Sequence, residues 1–138
     1  MKHTIEAIWQ GKMKFDAVVN GHHLIMDLPE SSGGEDAGPR PKPIMLAALA
    51  GCTGLDVVSL LKKMRQEFEY FNIIVKGDTE DEHPNAFVKM HIIYELRGKD
   101  LDLEKIEKAI SLSMERYCGV SAVYRKAGVE MTHEVRIL

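Results

Sequence analysis

The sequence predicts an α+β protein with the element order βββ-α-ββ-αα-β, forming a single domain over residues 1–138. Short segments in which apolar and polar residues alternate indicate strands. A long apolar stretch over 43–61 and an amphipathic stretch over 103–117 indicate helices. A chain of 138 residues can bury a core without disulfide or metal crosslinks.

The first three elements are predicted to be strands of an antiparallel meander. Alternation over 4–9 and 13–19 predicts the first two strands. Asn20 and Gly21 follow, a pair that readily adopts the positive φ angles of a two-residue hairpin turn. The third strand is predicted over 24–28.

A loop and a central helix come next. Residues 29–43 contain four of the five prolines, which indicates a long loop. Over 43–61 the only charged residue is Asp56, and apolar or small residues occupy all sides of the helix. This pattern predicts a long buried helix packed on an antiparallel or mixed sheet. A bilayer span needs about 20 apolar residues, but Asp56 and the amphipathic flanking strands favour a core helix, and no membrane partner is expected.

The second half of the chain is predicted to contain three further strands and two helices. Asp102 is placed to cap the first of these helices. The predicted ranges are strands over 72–77 and 86–96, helices over 103–117 and 120–126, and a last strand over 129–137.

Charge and terminal sequence limit the function classes. A net charge of -3 without a cluster of Lys and Arg argues against a nucleic-acid partner. The first residues lack an apolar run, so we expect no signal peptide and a cytoplasmic location. His22 and His23 are the only adjacent histidines, and neighbouring strand residues point to opposite faces. We therefore expect no metal site and no cofactor.

Two cysteines are the candidate reactive groups. Cys52 lies in the apolar helix, where burial and the nearby Asp56 would raise the pKa of its thiol. Cys118 lies between two helices, where Arg116 and the following helix N-terminus would stabilise a thiolate. Each cysteine could instead be a buried packing residue. A disulfide requires Cα atoms within about 7 Å, which spacing alone does not reveal.

Two segments carry a family resemblance. GPRPKPIMLAALAGCTGLDVVSLLKK (38–63) and ERYCGVSAVYRKAG (115–128) resemble the two cysteine segments of the OsmC/Ohr family. The resemblance implies an intertwined homodimer that reduces organic hydroperoxides in the response to oxidative stress. It implies that Cys52 attacks a small hydrophobic hydroperoxide and that Cys118 resolves the resulting sulfenic acid. An external dithiol then reduces the disulfide.

The chain departs from the peroxidases of this family at two charged positions. They have a glutamate where this chain has Lys42, and an arginine in the N-terminal meander, where this chain has none before Arg40. We expect that Arg40, with Glu35 as its partner, could supply a cation to Cys52 instead. These departures leave two alternatives open. The chain could be a non-enzymatic protein that binds a small hydrophobic ligand, or a thiol redox sensor.

Overall fold

The computed structural model describes all 138 residues, and the strands and helices follow the predicted α+β order. By its internal contacts the chain divides into two compact units, Met1–Met45 and Leu46–Leu138, which we describe in turn. The assignment of residues 1–138 to one domain stays a prediction.

The first unit contains the predicted antiparallel meander. Its strands are β1 (Glu6–Trp9), β2 (Phe15–Val19) and β3 (His22–Met26), in the order β1-β2-β3. Asn20 and Gly21 have φ angles of 51° and 78°. The two-residue hairpin predicted from this pair is therefore confirmed.

The loop after β3 is fixed by the buried side chain of Asp27. Its carboxylate accepts backbone N–H bonds from Leu28 (2.8 Å), Glu35 (3.1 Å) and Ala37 (3.1 Å). Burial alone would raise the pKa of Asp27, but these three donors outweigh it, so the pKa lies below its usual value. The loop is thus ordered by one carboxylate, with a single 3₁₀ turn at Glu30–Ser32.

The central helix, α1, spans Pro41–Lys63 and begins two residues earlier than predicted. Proline is compatible with a first helical turn, because the N–H groups there lack partners within the helix. The residues of α1 that are fully buried are spaced by four and form one face: Leu49, Thr53, Val57 and Leu61.

Burial on all sides of α1 is not found within this chain. Leu55 is 76% exposed, and 22% of the most apolar window of the helix is buried. The reason is that the hydrophobic core lies against only one face of α1. Length and composition would allow α1 to cross a membrane, but Asp56 within it is hydrogen-bonded to Ser113. This bond fits a core helix better than a membrane span.

The second unit contains a mixed three-stranded sheet, one of the two sheet types that the sequence predicts. Its strands are β4 (Tyr70–Thr79), β5 (Phe87–Arg97) and β6 (Glu130–Ile137). β5 lies in the middle, antiparallel to β4 and parallel to β6. Its inward-facing residues are fully buried and form the centre of the core: Met90, Ile92, Tyr94 and Leu96.

The helical segment after β5 differs from the prediction in its last turn. Asp102 caps α2 (Leu103–Leu112) by accepting the N–H of Glu104 at 3.0 Å, as expected. Residues Ser113–Tyr117, predicted as the end of the same helix, instead form a π-helical turn. The Cys118 N–H closes it by donating to the Ser113 carbonyl at 2.7 Å. Helix α3 (Gly119–Lys126) follows directly.

Candidate active site

The structure brings the two cysteines together in the second unit. Cys52 lies on α1 and is half-buried, and Cys118 is the buried N-cap residue of α3. Their Sγ atoms and a carboxylate oxygen of Asp56 all lie within 4.8 Å of one another. The site therefore combines two thiols and one carboxylate from α1 and the start of α3.

The surroundings of Cys52 favour its protonated form. Burial is the largest influence and raises the pKa of the Cys52 thiol. The backbone N–H of Val120 donates to this sulfur and acts in the opposite direction, while Cys118 and Asp56 raise the pKa further. The net result is a pKa above that of an ordinary cysteine. This matches the direction predicted for Cys52 from burial and Asp56.

The start of α3 supplies hydrogen-bond donors to both sulfurs. Ser121 N–H donates to Cys118 Sγ at 3.3 Å, and Val120 N–H donates to Cys52. Backbone N–H groups in the first turn of a helix have no partner within the helix and stabilise negative charge nearby. α3 therefore offers each sulfur a donor that would stabilise a thiolate.

A chain of buried hydroxyl groups ends at Asp56. Ser113 Oγ donates to Asp56 Oδ2 at 2.9 Å. Because that proton is used, Ser113 accepts from Thr53 Oγ1 (2.9 Å), and Thr53 in turn accepts from Tyr94 Oη (2.7 Å). The three hydroxyl groups thus point their protons toward the carboxylate. Burial raises the pKa of Tyr94 to about 12, so this hydroxyl stays protonated near neutral pH.

This hydroxyl chain was not predicted from the sequence. Thr53 is 41 residues from Tyr94 and 60 residues from Ser113, so only tertiary structure brings them together. The π-helical turn, which periodicity did not predict, begins at Ser113. The one available signal was the presence of Thr53 and Asp56 in an otherwise apolar helix. Buried polar residues of this kind need partners.

The two predicted supporting residues lie in the loop of the first unit. Arg40 Nη1 donates to Asp36 at 2.6 Å, and Lys14 pairs with Glu35 at 3.6 Å. The partner of Arg40 is therefore Asp36 and not the predicted Glu35. A role for Arg40 or Glu35 in activating Cys52 stays a prediction.

An apolar groove runs along the surface of α1, and Cys52 is not among the residues that line it. Its volume is about 370 Å³. A side chain added at Gly51 would meet no atom within 4 Å, so the helix surface is open there. The groove lies between α1 and β4, and its lining includes Ala50, Gly54, Leu55, Val58, Phe71 and Ile73.

Comparison with known proteins gives consistent results. A family model described as OsmC-like protein matches residues 33–134. Protein YhfA of Escherichia coli (strain K12) is 33% identical over 119 residues, covering 86% of this chain and 85% of its own length. A hypothetical protein from Aquifex aeolicus VF5 has a similar structure, with a TM-score of 0.84, 27% identity and coverage of 100% and 98% of the two chains.

A more distant structure carries a functional description. It is an organic hydroperoxide resistance protein OsmC from Legionella pneumophila, with a TM-score of 0.68 and 15% identity. The match covers 99% of this chain and 97% of that chain. At this identity the similarity establishes the fold alone.

Proposed function

We propose, since this chain belongs to the OsmC-like protein family, that it reduces organic hydroperoxides through Cys52 and Cys118. One observation carries the proposal. Both thiols lie in one site, with donor atoms within 4.8 Å of each other and a backbone N–H directed at each sulfur. A reduction cycle that passes through an internal disulfide requires two neighbouring thiols.

The cycle consumes one hydroperoxide and two thiols. The Cys52 thiolate attacks the terminal oxygen of the peroxide, the O–O bond breaks, and the alkoxide takes a proton to leave as an alcohol. Cys52 is then a sulfenic acid. The Cys118 thiolate attacks its sulfur, the S–O bond breaks, hydroxide leaves and takes up a proton to become water, and a Cys52–Cys118 disulfide forms. An external dithiol returns the two electrons by thiol–disulfide exchange.

The apolar groove beside α1 supports a hydrophobic substrate. Burial of an alkyl chain contributes about 0.8 kcal/mol for each CH₂ group removed from water. Ala50, Leu55 and Val58 give this groove an apolar wall on α1. The groove is therefore a candidate site for the alkyl tail of an organic hydroperoxide, although Cys52 itself does not line it.

We further propose that the working unit is a homodimer. The uncovered side of α1 exposes Leu55, and the first unit exposes apolar residues of its own, including Ile8 and Trp9. Apolar groups exposed in this way are typical of surfaces that bind another chain. A second copy of the chain is the partner that the family relationship favours.

The same groove supports a second candidate function, binding of a small hydrophobic molecule without turnover. The raised pKa of Cys52 favours this alternative, since the thiol is then a poor nucleophile at neutral pH. A thiol sensor, which forms its disulfide once without cycling, rests on the same pair of cysteines.

The test is consumption of cumene hydroperoxide with dithiothreitol as reductant, for wild type, Cys52→Ser and Cys118→Ser. We expect turnover in the wild type and background rates for Cys52→Ser. Cys118→Ser, treated with the hydroperoxide in the absence of dithiothreitol, should form a sulfenic acid that dimedone traps. A disulfide that forms once and does not cycle would support the sensor. Thiols that do not react with the peroxide would reject the enzyme.

A further inference from the structure

The site gathers two thiols and a carboxylate, three groups that can each become an anion. Cys52, Asp56 and Cys118 place their ligand atoms within 4.8 Å of one another. None of the eight salt bridges of the chain involves Asp56. Lys63 lines the same surface cleft as Asp56 without pairing with it. Two thiolates and a carboxylate at this separation would repel one another unless a positive charge lay between them.

Each of the three groups also accepts a hydrogen bond from a neighbouring residue that is not itself part of the cluster. Val120 N–H donates to Cys52 Sγ, Ser121 N–H donates to Cys118 Sγ at 3.3 Å, and Ser113 Oγ donates to Asp56 Oδ2 at 2.9 Å. Donors of this kind orient metal ligands and stabilise their charge. Because Ser113 is itself held by Thr53, the carboxylate is fixed by a continuous buried chain.

We propose that the reduced protein binds a thiophilic divalent cation of the zinc class through Cys52, Asp56 and Cys118. Cys52 and Asp56 are four residues apart on α1 and share one face of the helix. Zn–S and Zn–O bonds of about 2.3 and 2.1 Å place tetrahedral ligands about 3.5–3.8 Å apart. Separations of up to 4.8 Å therefore have to contract by no more than about 1.3 Å.

The ligand types set the choice of cation. Thiolates bind Zn²⁺ well, whereas Mg²⁺ and Ca²⁺ take oxygen ligands. Three protein ligands leave the fourth tetrahedral position open to water or to a small molecule. Binding requires both thiols to be deprotonated, so the cation displaces two protons.

Cation binding and thiol oxidation exclude each other at this site. A Cys52–Cys118 disulfide removes both sulfur ligands, so the oxidised protein loses the site. A bound cation also withdraws electron density from each thiolate sulfur and so lowers its nucleophilicity. The reduced, metal-bound protein should therefore react more slowly with oxidants and alkylating agents. This inference rests on the cluster geometry and does not require hydroperoxide turnover.

The test is titration of the reduced protein with Co²⁺, followed by displacement with Zn²⁺. Thiolate-to-cobalt charge transfer absorbs in the near ultraviolet, and its intensity rises with the number of thiolate ligands. We expect one Co²⁺ for each chain, with about half the absorbance per cobalt for Cys52→Ser or Cys118→Ser. Asp56→Asn keeps both thiolates, so the absorbance per bound cobalt should stay the same. The affinity for Co²⁺ should fall by at least about tenfold, because removal of a residue that only hydrogen-bonds to a metal ligand already costs that much.

Asp100→Asn is the matched control, because Asp100 is exposed and its substitution removes the same charge. It should bind like the wild type, and the disulfide form should not bind. Circular dichroism checks that each variant is folded. Equal affinity in Asp56→Asn and Asp100→Asn would remove Asp56 from the site, and no charge-transfer band in the wild type would overturn the proposal. Loss of hydroperoxide turnover with intact Co²⁺ binding would reject only the proposed enzyme.

Discussion

At the scale of single residues, the state of the Cys52 sulfur decides what the site can do. Burial, Cys118 and Asp56 all favour the neutral thiol, and the N–H of Val120 is the one group that favours the thiolate. The thiolate is the reactive form. Reaction of Cys52 with electrophiles and oxidants should therefore become faster as pH rises toward its raised pKa and level off above it.

The contribution of Asp56 to this pKa can be measured with Asp56→Asn. Removing the negative charge should lower the pKa of Cys52, because Asp56 raises it in the wild type. At a fixed pH near 7 the variant then has more thiolate and should react faster with iodoacetamide. Alkylation rates across pH, with Cys52 followed by peptide mass spectrometry, give the measurement.

Asp100→Asn serves as the control for net charge and should leave the rate profile unchanged. A slower Asp56→Asn variant would contradict this electrostatic account. The two expectations for Asp56→Asn have opposite signs, faster alkylation and weaker metal binding. Because unfolding would also speed alkylation and weaken metal binding, circular dichroism must show that the Asp56→Asn variant is folded.

The sequence was enough to select the two candidate thiols, but the groups that surround them became visible only in the tertiary structure. Cys52 and Cys118 could be selected because only two cysteines exist and both lie in segments resembling one family. Asp56 was known only as a charge in an apolar helix. Its partner Ser113 is 57 residues away, and no local periodicity encodes that distance. The predicted link between Arg40 and Glu35 illustrates the same limit, because several acidic residues lie near Arg40 in sequence.

At the scale of elements, α1 determines both packing and site position. One helix face carries Leu49, Thr53 and Val57 into the core, and Asp56 lies next to that face. Periodicity predicted the helix and its apolar character correctly. It could not show which sides other parts of the chain would cover, since every side is apolar. The π-helical turn escaped prediction for a related reason, because one added residue in a turn leaves little trace in a short pattern.

The packing of α1 can be tested with Leu49→Ala. Leu49 is fully buried in the core of the second unit, so truncation removes apolar contacts and leaves a cavity. The free energy of unfolding should fall by about 2–5 kcal/mol. Urea denaturation followed by circular dichroism measures the loss.

Leu103→Ala is the matched control, since Leu103 is also a helical leucine but is 51% exposed. Its effect should stay within about 0.5 kcal/mol. Equal losses for the two variants would show that the assigned core face of α1 is wrong.

At the scale of the whole molecule, several large apolar side chains of the isolated chain are exposed to water. Leu55 is 76% exposed and lies in the middle of the most apolar helix. Trp9 and Ile8 are 62% and 50% exposed in β1, although the indole N–H of Trp9 donates to the Lys12 carbonyl. Such residues remain in contact with water in an isolated chain, at a cost of about 25 cal/mol for each Å² that could be buried.

The homodimer is tested by sedimentation equilibrium of wild type and Leu55→Lys. We expect the wild type to have twice the mass of the chain at micromolar concentration. Leu55→Lys should shift the equilibrium to monomer, because a lysine without a partner in an apolar interface carries a large desolvation cost. Leu103→Lys, on an exposed position of α2, should remain a dimer. A monomeric wild type would reject the homodimer, and a dimeric Leu55→Lys would show that the interface lies away from this face of α1.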